Sequence, residues 1–503
     1  MGPVVIVLAL VTLVWLGQKA WERWDHFQIF RRLGIPGPPP SVLFGNLVEL
    51  RKSGKSPLTV YDEWQEKFGH TYGYYAGTRP TLVIRNLETV KDVLVKHSSE
   101  HFSNRMTPIV KSKPLMDTLM GLRDRRWKEL RSILAQTFST SKMRHISKIM
   151  NRSISVTTEI LTNNVNLDVD VLGLFQGLSC EVICECALAM RVDCQRNQND
   201  TFLVAVREFL RTALNPFIFF AICFPWFAGA VQFIVDKFAV SALMTNIVCQ
   251  NVETAIQLRR SQAHDPKILP SSEHKVMDVL QTLLDAAESP HIDKITDDEI
   301  VANSWIFLLG GFETTSAALT FTSYLLALNP EVQQTLFEEL QAAFSEDEDI
   351  NFDSVNNLQF LDQVVCESLR IYPPVVTFIV RETSSETRVE SLSVPKGVSI
   401  HIPVWQIHHD PELWPDPFTF KPSRFSSSEK KTHHSMAWIP FGAGPRNCVG
   451  MRFGLLQIKL AIARIIRSFR LVPSPGTLTK LKLNVPTVTI VPEKKIYLKF
   501  EKR

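Results

Sequence analysis

The chain lacks a large excess of charge of either sign and a dense cysteine framework. Lys and Arg number 55 against 51 Asp and Glu in 503 residues, which gives a formal net charge of +4. Because the two signs are interspersed, the sequence does not indicate a nucleic-acid-binding protein.

The eight cysteines are spread along the chain, most of them in apolar helical contexts, which favours a reducing compartment. Cys180, Cys184 and Cys186 have no second Cys/His pair at zinc-site spacing, so we interpret them as buried small hydrophobic residues.

The sequence also contains no linker or repeat that would divide it into several domains. After the proline-rich residues 35–40 there is no Gly/Ser-rich stretch, low-complexity tract or internal period. A chain of this length can bury a large core. We therefore predict one large catalytic domain, residues 41–503, behind a basic, proline-rich linker, residues 25–40, and an N-terminal segment, residues 1–24.

The N-terminal segment has the composition of a membrane anchor. Residues 1–17 contain no charged side chain, and as a helix they reach ~25 Å, close to the ~30 Å of a bilayer core. Lys19 and Arg23 follow the apolar run, so the positive-inside rule predicts a single anchor with the main domain on the cytosolic side. The alternative is a cleaved secretory signal, but no basic residue precedes the run and no small-x-small cleavage site follows it.

The main domain reads as mainly α with a smaller β-rich part, an α+β fold. Helical periodicity dominates residues 127–370, and short strands with proline-rich turns follow residue 375. The longest predicted helix begins at Thr296, where Glu299 completes a capping box, and ends before Pro330. The polar stretches 261–275 and 288–294 are predicted to be loops.

A glycine-rich loop contains the cysteine that is most able to carry chemistry. The segment from Phe441 to Gly450 reads F-G-A-G-P-R-N-C-V-G and immediately precedes an apolar helix. A helix N-terminus lowers the pKa of a thiol and hydrogen-bonds its sulfur, which favours the Cys448 thiolate. Phe441 can shield this sulfur from water and oxidants. The alternative is a glycine-rich turn with a buried cysteine.

This loop resembles the haem-binding signature of the cytochrome P-450 superfamily, F-x-x-G-x-R-x-C-x-G, at every fixed residue. The resemblance implies a cytochrome P-450 fold and non-covalently bound haem b, with Cys448 as the axial ligand of the iron.

The resemblance also extends to the superfamily's E-x-x-R motif, at Glu367 and Arg370, which in the family is joined by an arginine at the position of Arg424. An E-x-x-R spacing alone is weak, since it usually marks a solvated helix pair. The family usually has an acid where this chain has Ser423.

Four further residues match the positions that bind the haem propionates in the family: Trp127, Arg131, Arg381 and Arg446. The fork of a guanidinium group suits a carboxylate. The competing interpretations are core packing for the tryptophan and surface charge for the arginines.

A basic helix face is the predicted docking site for the electron donor. We expect Arg123, Arg125, Arg126 and Lys128 to point to solvent, opposite the propionate-binding residues. In the family this surface accepts the flavin-containing NADPH-cytochrome P-450 reductase, which carries the electrons of NADPH, and in some members cytochrome b5. A merely solvated helix face explains the same residues nearly as well.

The middle of the longest helix resembles the family's oxygen-binding segment. Two adjacent glycines, Gly310 and Gly311, cost a helix ~2 kcal/mol of propensity, so a compensating role is expected. In the family the helix opens locally here, and an alcohol bonds back to the carbonyl four residues earlier, which predicts a bond between Thr314 and Gly310. Glu313 and Thr314 would then be the catalytic pair that relays protons. Close helix packing is the alternative reason for the glycines.

Within the superfamily the chain looks closest to the animal microsomal branch that oxidises drugs and steroids, family 3. This implies a monooxygenase of the endoplasmic reticulum membrane that acts on lipophilic compounds such as xenobiotics, steroids or fatty acids. A second hypothesis is an isomerase that rearranges lipid peroxides, as thromboxane synthase does, and a third is a non-enzymatic haem sensor.

Segments 102–120 and 375–379 are expected to line the pocket. An aromatic cluster is expected either to roof the pocket and touch the membrane or to be plain core: Phe217, Phe219, Phe220, Phe224 and Phe227.

Overall fold

The structure is a computed structural model. It describes residues 2–52, 54–111, 113–188, 190–263, 279–288, 295–345 and 348–503. The two predicted loops at 261–275 and 288–294 lie almost entirely outside the described residues.

The described part of the chain contains nineteen α-helices. In chain order they are α1 Pro3–His26, α2 Ile29–Arg32, α3 Leu47–Leu50, α4 Pro57–Phe68, α5 Leu87–Lys91, α6 Asp124–Gln136, α7 Thr140–Asn163, α8 Val171–Ala187, α9 Thr201–Thr212, α10 Pro216–Cys223, α11 Ala228–Phe238, α12 Val240–Ala263, α13 Val279–Glu288, α14 Asp297–Leu328, α15 Pro330–Ala343, α16 Phe352–Asn356, α17 Gln359–Ile371, α18 Val404–His408 and α19 Met451–Ser468.

Eleven short strands accompany these helices in the described residues. They are β1 Thr71–Ala76, β2 Arg79–Ile84, β3 Val169–Asp170, β4 Val380–Glu382, β5 Thr387–Val389, β6 Leu392–Val394, β7 Ser399–His401, β8 Phe469–Pro473, β9 Leu483–Asn484, β10 Val491–Pro492 and β11 Tyr497–Lys502. With 57% of the residues helical, the predicted mainly α fold with a smaller β-rich part is confirmed.

The chain forms two compact units. Unit 1 comprises residues 1–110, 215–233 and 377–406, and unit 2 comprises residues 111–214, 234–376 and 407–503. The four-stranded sheet of unit 1 has the order β1-β2-β7-β4, in which only the β2–β7 pair is parallel. In unit 2, β11 pairs with both β3 and β8, and β9 pairs with β10.

Unit 1 contains the predicted anchor. Every side chain of α1 from Val4 to Leu16 is exposed, and α1 is long and apolar enough to cross a membrane. It extends two residues beyond the predicted segment of residues 1–24. Phe217, Phe220 and Phe227 are also exposed, so the plain-core interpretation of the aromatic cluster is wrong for these three side chains.

Unit 2 is built around α14. The predicted capping box is present, because the Thr296 hydroxyl accepts from the Glu299 backbone and the Glu299 carboxylate accepts from the Thr296 backbone. Most side chains of α14 are buried, as expected of a central helix with apolar residues on most faces. α14 packs along α8 and also contacts α12, α17 and α19. The helix therefore carries its middle residues into the interior of unit 2.

Candidate active site

The Cys448 loop is a tight turn at the start of α19. Gly442 and Gly444 have φ angles of 71° and 69°, in the left-handed region that favours glycine. The backbone N–H of Cys448 donates to the Phe441 carbonyl over 2.8 Å, which closes the turn. Gly450 is the N-cap residue of α19. The sequence thus places the thiol just before a helix N-terminus, as predicted.

The surroundings of the Cys448 sulfur fit the haem that the sequence implies. Among the eight cysteines, Cys448 is exposed, Cys249 is half-buried and the others are buried. A Cβ atom added at Gly450 would meet no atom within 4 Å, so there is open space beside the loop. An accessible thiol in such a loop is what an external metal centre requires, whereas a structural cysteine is normally enclosed.

Three of the predicted propionate-binding residues lie next to this loop. Trp127 and Arg446 are both buried, and the guanidinium of Arg446 lies over the Trp127 ring at 3.8 Å from its centre. Arg131 donates to the Asn447 side-chain oxygen over 2.6 Å. Burial lowers the pKa of Arg131, and the charge of Cys448 opposes this shift. The structure therefore brings Trp127, Arg131 and Arg446 together within unit 2.

The fourth predicted residue, Arg381, belongs to unit 1. It lies in β4, is 1% exposed, and donates to the Val380 carbonyl over 2.9 Å. Its assignment to the propionates stays a prediction.

The E-x-x-R pair is a buried ion pair rather than a solvated one. Arg370 donates two hydrogen bonds to the Glu367 carboxylate, over 2.7 and 2.8 Å, and both side chains are fully buried. Arg424 completes the predicted group at 3.3 Å from Glu367. The absence of an acid at Ser423 therefore leaves the three-residue group intact.

His408 is a residue of this region that the sequence did not reveal. Arg370 donates to the His408 carbonyl over 2.9 Å, and one ring nitrogen of His408 bonds the Arg370 carbonyl at 3.2 Å. The other ring nitrogen accepts from the backbone N–H of Ile439 over 3.0 Å. Burial lowers the pKa of His408 well below its usual value, so the ring is neutral. The histidine thus ties α17 to the segment that leads into the Cys448 loop. It has no local motif by which it could have been found.

The two glycines of α14 have different surroundings. Thr314 donates to the Gly310 carbonyl over 2.5 Å, as predicted. Gly310 is exposed, with no atom within 4 Å of an added Cβ, whereas a Cβ at Gly311 would lie 2.9 Å from Ile183 of α8. Close helix packing therefore accounts for Gly311. The expected local opening is not observed, because α14 runs as an α-helix without a break from Asp297 to Leu328.

Glu313, beside Thr314, has a partner that sequence patterns did not predict. The Thr489 hydroxyl donates to Glu313 Oε2 over 3.0 Å. Burial raises the pKa of Glu313, and the hydrogen bond from Thr489 opposes part of that shift. The carboxyl is therefore biased toward its protonated form, as an acid that supplies protons requires. Thr489 lies 176 positions along the chain, beyond the reach of any local pattern.

The expectation that Arg126 points to solvent is wrong. Arg126 bonds both oxygens of Glu299, at the N-terminal end of α14, and also Glu129. The physical reason is the charge of the capping acid, which attracts a guanidinium from α6. Arg125 remains exposed, although it pairs with Glu129 over 2.6 Å.

Comparisons with known proteins place these features in a family. The profile of the family described as Cytochrome P450 matches residues 35–500. Cytochrome P450 3A40 of Oryzias latipes is 32% identical over 505 residues, which cover 99% of this chain and 96% of the relative. Cytochrome P450 3A12 of Canis lupus familiaris and Cytochrome P450 3A5 of Homo sapiens are each 32% identical, over 489 and 490 residues, which cover 94% of this chain and 92% of each relative.

Proposed function

The chain belongs to the cytochrome P450 family and is a haem-thiolate monooxygenase, and from this we propose that it oxidises lipophilic organic compounds with electrons that NADPH supplies through a flavin-containing reductase. The predicted resemblance to the family 3 branch is confirmed by its relatives. Xenobiotics, steroids and fatty acids are the substrate classes that we propose. A redox partner and a lipophilic substrate are general to the family.

The observation that carries the proposal is the exposed thiol of Cys448 in a turn that two left-handed glycines close. We assign Cys448 as the axial iron ligand. We propose that Phe441 shields the sulfur and that Arg446, Trp127 and Arg131, which lie together in unit 2, hold the propionates. The same role is proposed for Arg381 from the resemblance to the family and the fit of a guanidinium to a carboxylate. When bound, haem supplies an iron whose thiolate ligand donates the electron density that favours cleavage of the O–O bond.

Glu313 and Thr314 are the residues that we propose to handle protons. The Glu313 carboxyl holds a proton readily because burial raises its pKa. The Thr314 hydroxyl gives its own proton to the Gly310 carbonyl, which leaves its oxygen able to accept another hydrogen bond. Gly310 adds no side chain beside this hydroxyl, and a Cβ atom placed there would meet no atom within 4 Å. Gly311 allows α14 to approach α8 and thereby positions the pair.

The redox partner that we propose is NADPH-cytochrome P450 reductase, with cytochrome b5 as a second donor. Arg125, which pairs with Glu129, offers a largely exposed guanidinium on α6 for this contact, and Arg126 pairs with Glu299. The apolar helix α1 supports attachment to the endoplasmic reticulum membrane, with the catalytic domain in the cytosol.

The proton-handling assignment is tested by Thr314→Val in full-length protein with reductase, NADPH and a lipophilic substrate. Product per NADPH should fall by about tenfold, because a positioned group that takes part in proton transfer contributes at least this much, while NADPH is still consumed. Thr320→Val is a matched control, since the Thr320 hydroxyl also bonds a carbonyl four residues earlier, at 2.7 Å. The control should keep its coupling. Full coupling in Thr314→Val would remove Thr314 from the relay.

The same assay separates a monooxygenase from an isomerase. An enzyme that rearranges lipid peroxides needs neither NADPH nor O2, and it has no use for an acid beside Thr314. Turnover of a lipid hydroperoxide without NADPH, together with no NADPH-dependent product from any substrate, would favour the isomerase.

A further inference from the structure

A buried hydroxyl from a distant part of unit 2 contacts the acid of α14. We propose that Thr489 is a positioning residue for Glu313, which it holds in one orientation with Oε2 as the hydrogen-bond acceptor. The inference deepens the proposed function, because it rests on Glu313 as the acid of the relay. The contact that motivates it is the 3.0 Å bond from Thr489 Oγ1 to Glu313 Oε2.

The backbone around Thr489 is fixed from both sides. The N–H of Ile490 donates to the Pro374 carbonyl over 2.8 Å, and the N–H of Val376 donates to the Val488 carbonyl over 3.3 Å. Thr489 itself pairs with Val375 in an antiparallel bridge. Its side chain is fully buried. The hydroxyl therefore approaches Glu313 from a segment with little freedom to move.

This bond favours one of the two oxygens of Glu313 as the site of its proton. A threonine hydroxyl has one proton, and here it is donated to Oε2. While Oε2 accepts this bond, a proton on the neutral carboxyl is favoured on Oε1, because the carbonyl-type oxygen of a carboxylic acid is the better acceptor. Thr489 thus favours Oε1 as the donating oxygen, which matters because geometry as well as acidity decides the efficiency of a proton donor.

The two threonines have separate tasks in this arrangement. Thr314 is the neighbour of Glu313 on α14, and its hydroxyl is directed back along the helix to Gly310. It cannot at the same time donate its single proton to Glu313. The carboxyl is instead held from outside α14, by Thr489. Without that bond, the side chain of Glu313 could change rotamer, because its staggered rotamers differ little in energy.

The test compares three variants of the full-length protein, assayed with reductase, NADPH and a lipophilic substrate. Thr489→Val keeps the volume of the side chain but cannot donate, and Thr489→Ser restores a hydroxyl. Peroxide released per NADPH should rise about fivefold in Thr489→Val, the effect of one neutral hydrogen bond, and return near the starting value in Thr489→Ser. Thr487→Val is the control, since the buried Thr487 hydroxyl has no hydrogen-bond partner among the described residues. Its peroxide release should not change.

A double variant separates positioning from general damage to the pocket. In a Glu313→Gln background, Thr489→Val should add nothing, because the two substitutions act on one group. The inference is overturned if Thr489→Val raises peroxide release further in the Glu313→Gln background. It is also overturned if Thr489→Val alone leaves peroxide release unchanged although Glu313→Gln alone raises it. No change in Glu313→Gln itself would overturn the acid role in the proposed function instead. If valine at 489 prevents folding, Thr489→Ala gives the same comparison.

Two readouts show whether the variant keeps its site intact. The absorption spectrum of the oxidised protein and the substrate dissociation constant should stay unchanged in Thr489→Val, while the solvent deuterium isotope effect on product formation rises. A purely structural role predicts the opposite, with a weakened substrate complex and an unaltered isotope effect.

Discussion

The guanidinium carbon of Arg446 lies 3.8 Å from the centre of the Trp127 ring, and both side chains are buried. Arg446 also donates to the Leu122 carbonyl over 3.2 Å. A cation over an indole face is stabilising, the more so when water is excluded. The contact therefore joins the chain that leads into α6 to the loop of Cys448, and it fixes a cation two residues before the sulfur.

Removing this cation should weaken the hold on haem. In Arg446→Met, the rate of haem transfer to an excess of apomyoglobin should rise about tenfold. This increase corresponds to a loss of ~1.4 kcal/mol, as expected when a buried cation–ring contact and a charged hydrogen bond are removed. Arg452→Met is the matched control. Arg452 of α19 also donates to a backbone carbonyl, that of Phe138, over 3.1 Å, and no role in haem binding is assigned to it. Equal rates in both variants would contradict the assignment of Arg446.

The ion pair of Arg126 and Glu299 should make unit 2 sensitive to acid. Burial alone would raise the pKa of Glu299, but hydrogen bonds from Arg126 and Thr296 and the arginine charge outweigh it and lower the pKa. A carboxyl with a lowered folded-state pKa stabilises the protein above its unfolded pKa of ~4.3 and loses that contribution as the pH falls below this value. Arg126→Gln should therefore lower the free energy of unfolding by about 1–3 kcal/mol at neutral pH, the cost of leaving a partly buried carboxylate without its hydrogen bonds, and by less in acid.

Denaturant titrations at neutral pH and below pH ~4 measure this difference. Arg125→Gln is the control, because the exposed pair of Arg125 with Glu129 contributes less than ~1 kcal/mol. If the loss in Arg126→Gln is the same at both pH values, the lowered pKa of Glu299 does not depend on Arg126.

Arg23 should connect the end of α1 to the rest of unit 1. Its guanidinium donates to the carbonyls of Val42, of Leu43 over 2.5 Å, and of Cys223 over 2.7 Å. It also lies 5.1 Å from the centre of the Phe224 ring. In Arg23→Met, amide hydrogens in residues 20–32 and 216–224 should exchange about tenfold faster, as expected when bonds to a charged donor are lost.

Arg31→Met is the control for this exchange measurement, since Arg31 is exposed. Its exchange pattern should match that of the unmodified protein. Faster exchange in residues 20–32 alone would mean that Arg23 stabilises the helix end without holding the second segment.

Local sequence patterns predicted the parts of the site that are local in the chain. The bond from Thr314 to Gly310 was expected from the resemblance to the family. The cap at Thr296 depends on residues only three positions apart, so helix geometry alone determines it. The turn at Cys448 follows from its glycines in the same way. The position of Arg424 beside Glu367 was available only through the resemblance to the family, because no local geometry connects the two.

The remaining contacts arise from packing between distant segments. Thr489 meets Glu313, and His408 links α17 to Ile439, without any spacing rule that relates the partners. The orientation of Arg126 was predicted wrongly because the composition of one helix face does not include the acid on a neighbouring helix. Gly311 has its reason in Ile183 of α8, which only the packed structure reveals.

The assignment of the Cys448 thiolate as the iron ligand is tested most directly by the carbon monoxide difference spectrum of the reduced, purified protein. A thiolate ligand predicts a Soret band shifted strongly to the red, and Cys448→His should bind haem without that shift. An ordinary Soret band in the unmodified protein, or a red-shifted band that persists in Cys448→His, would contradict the assignment.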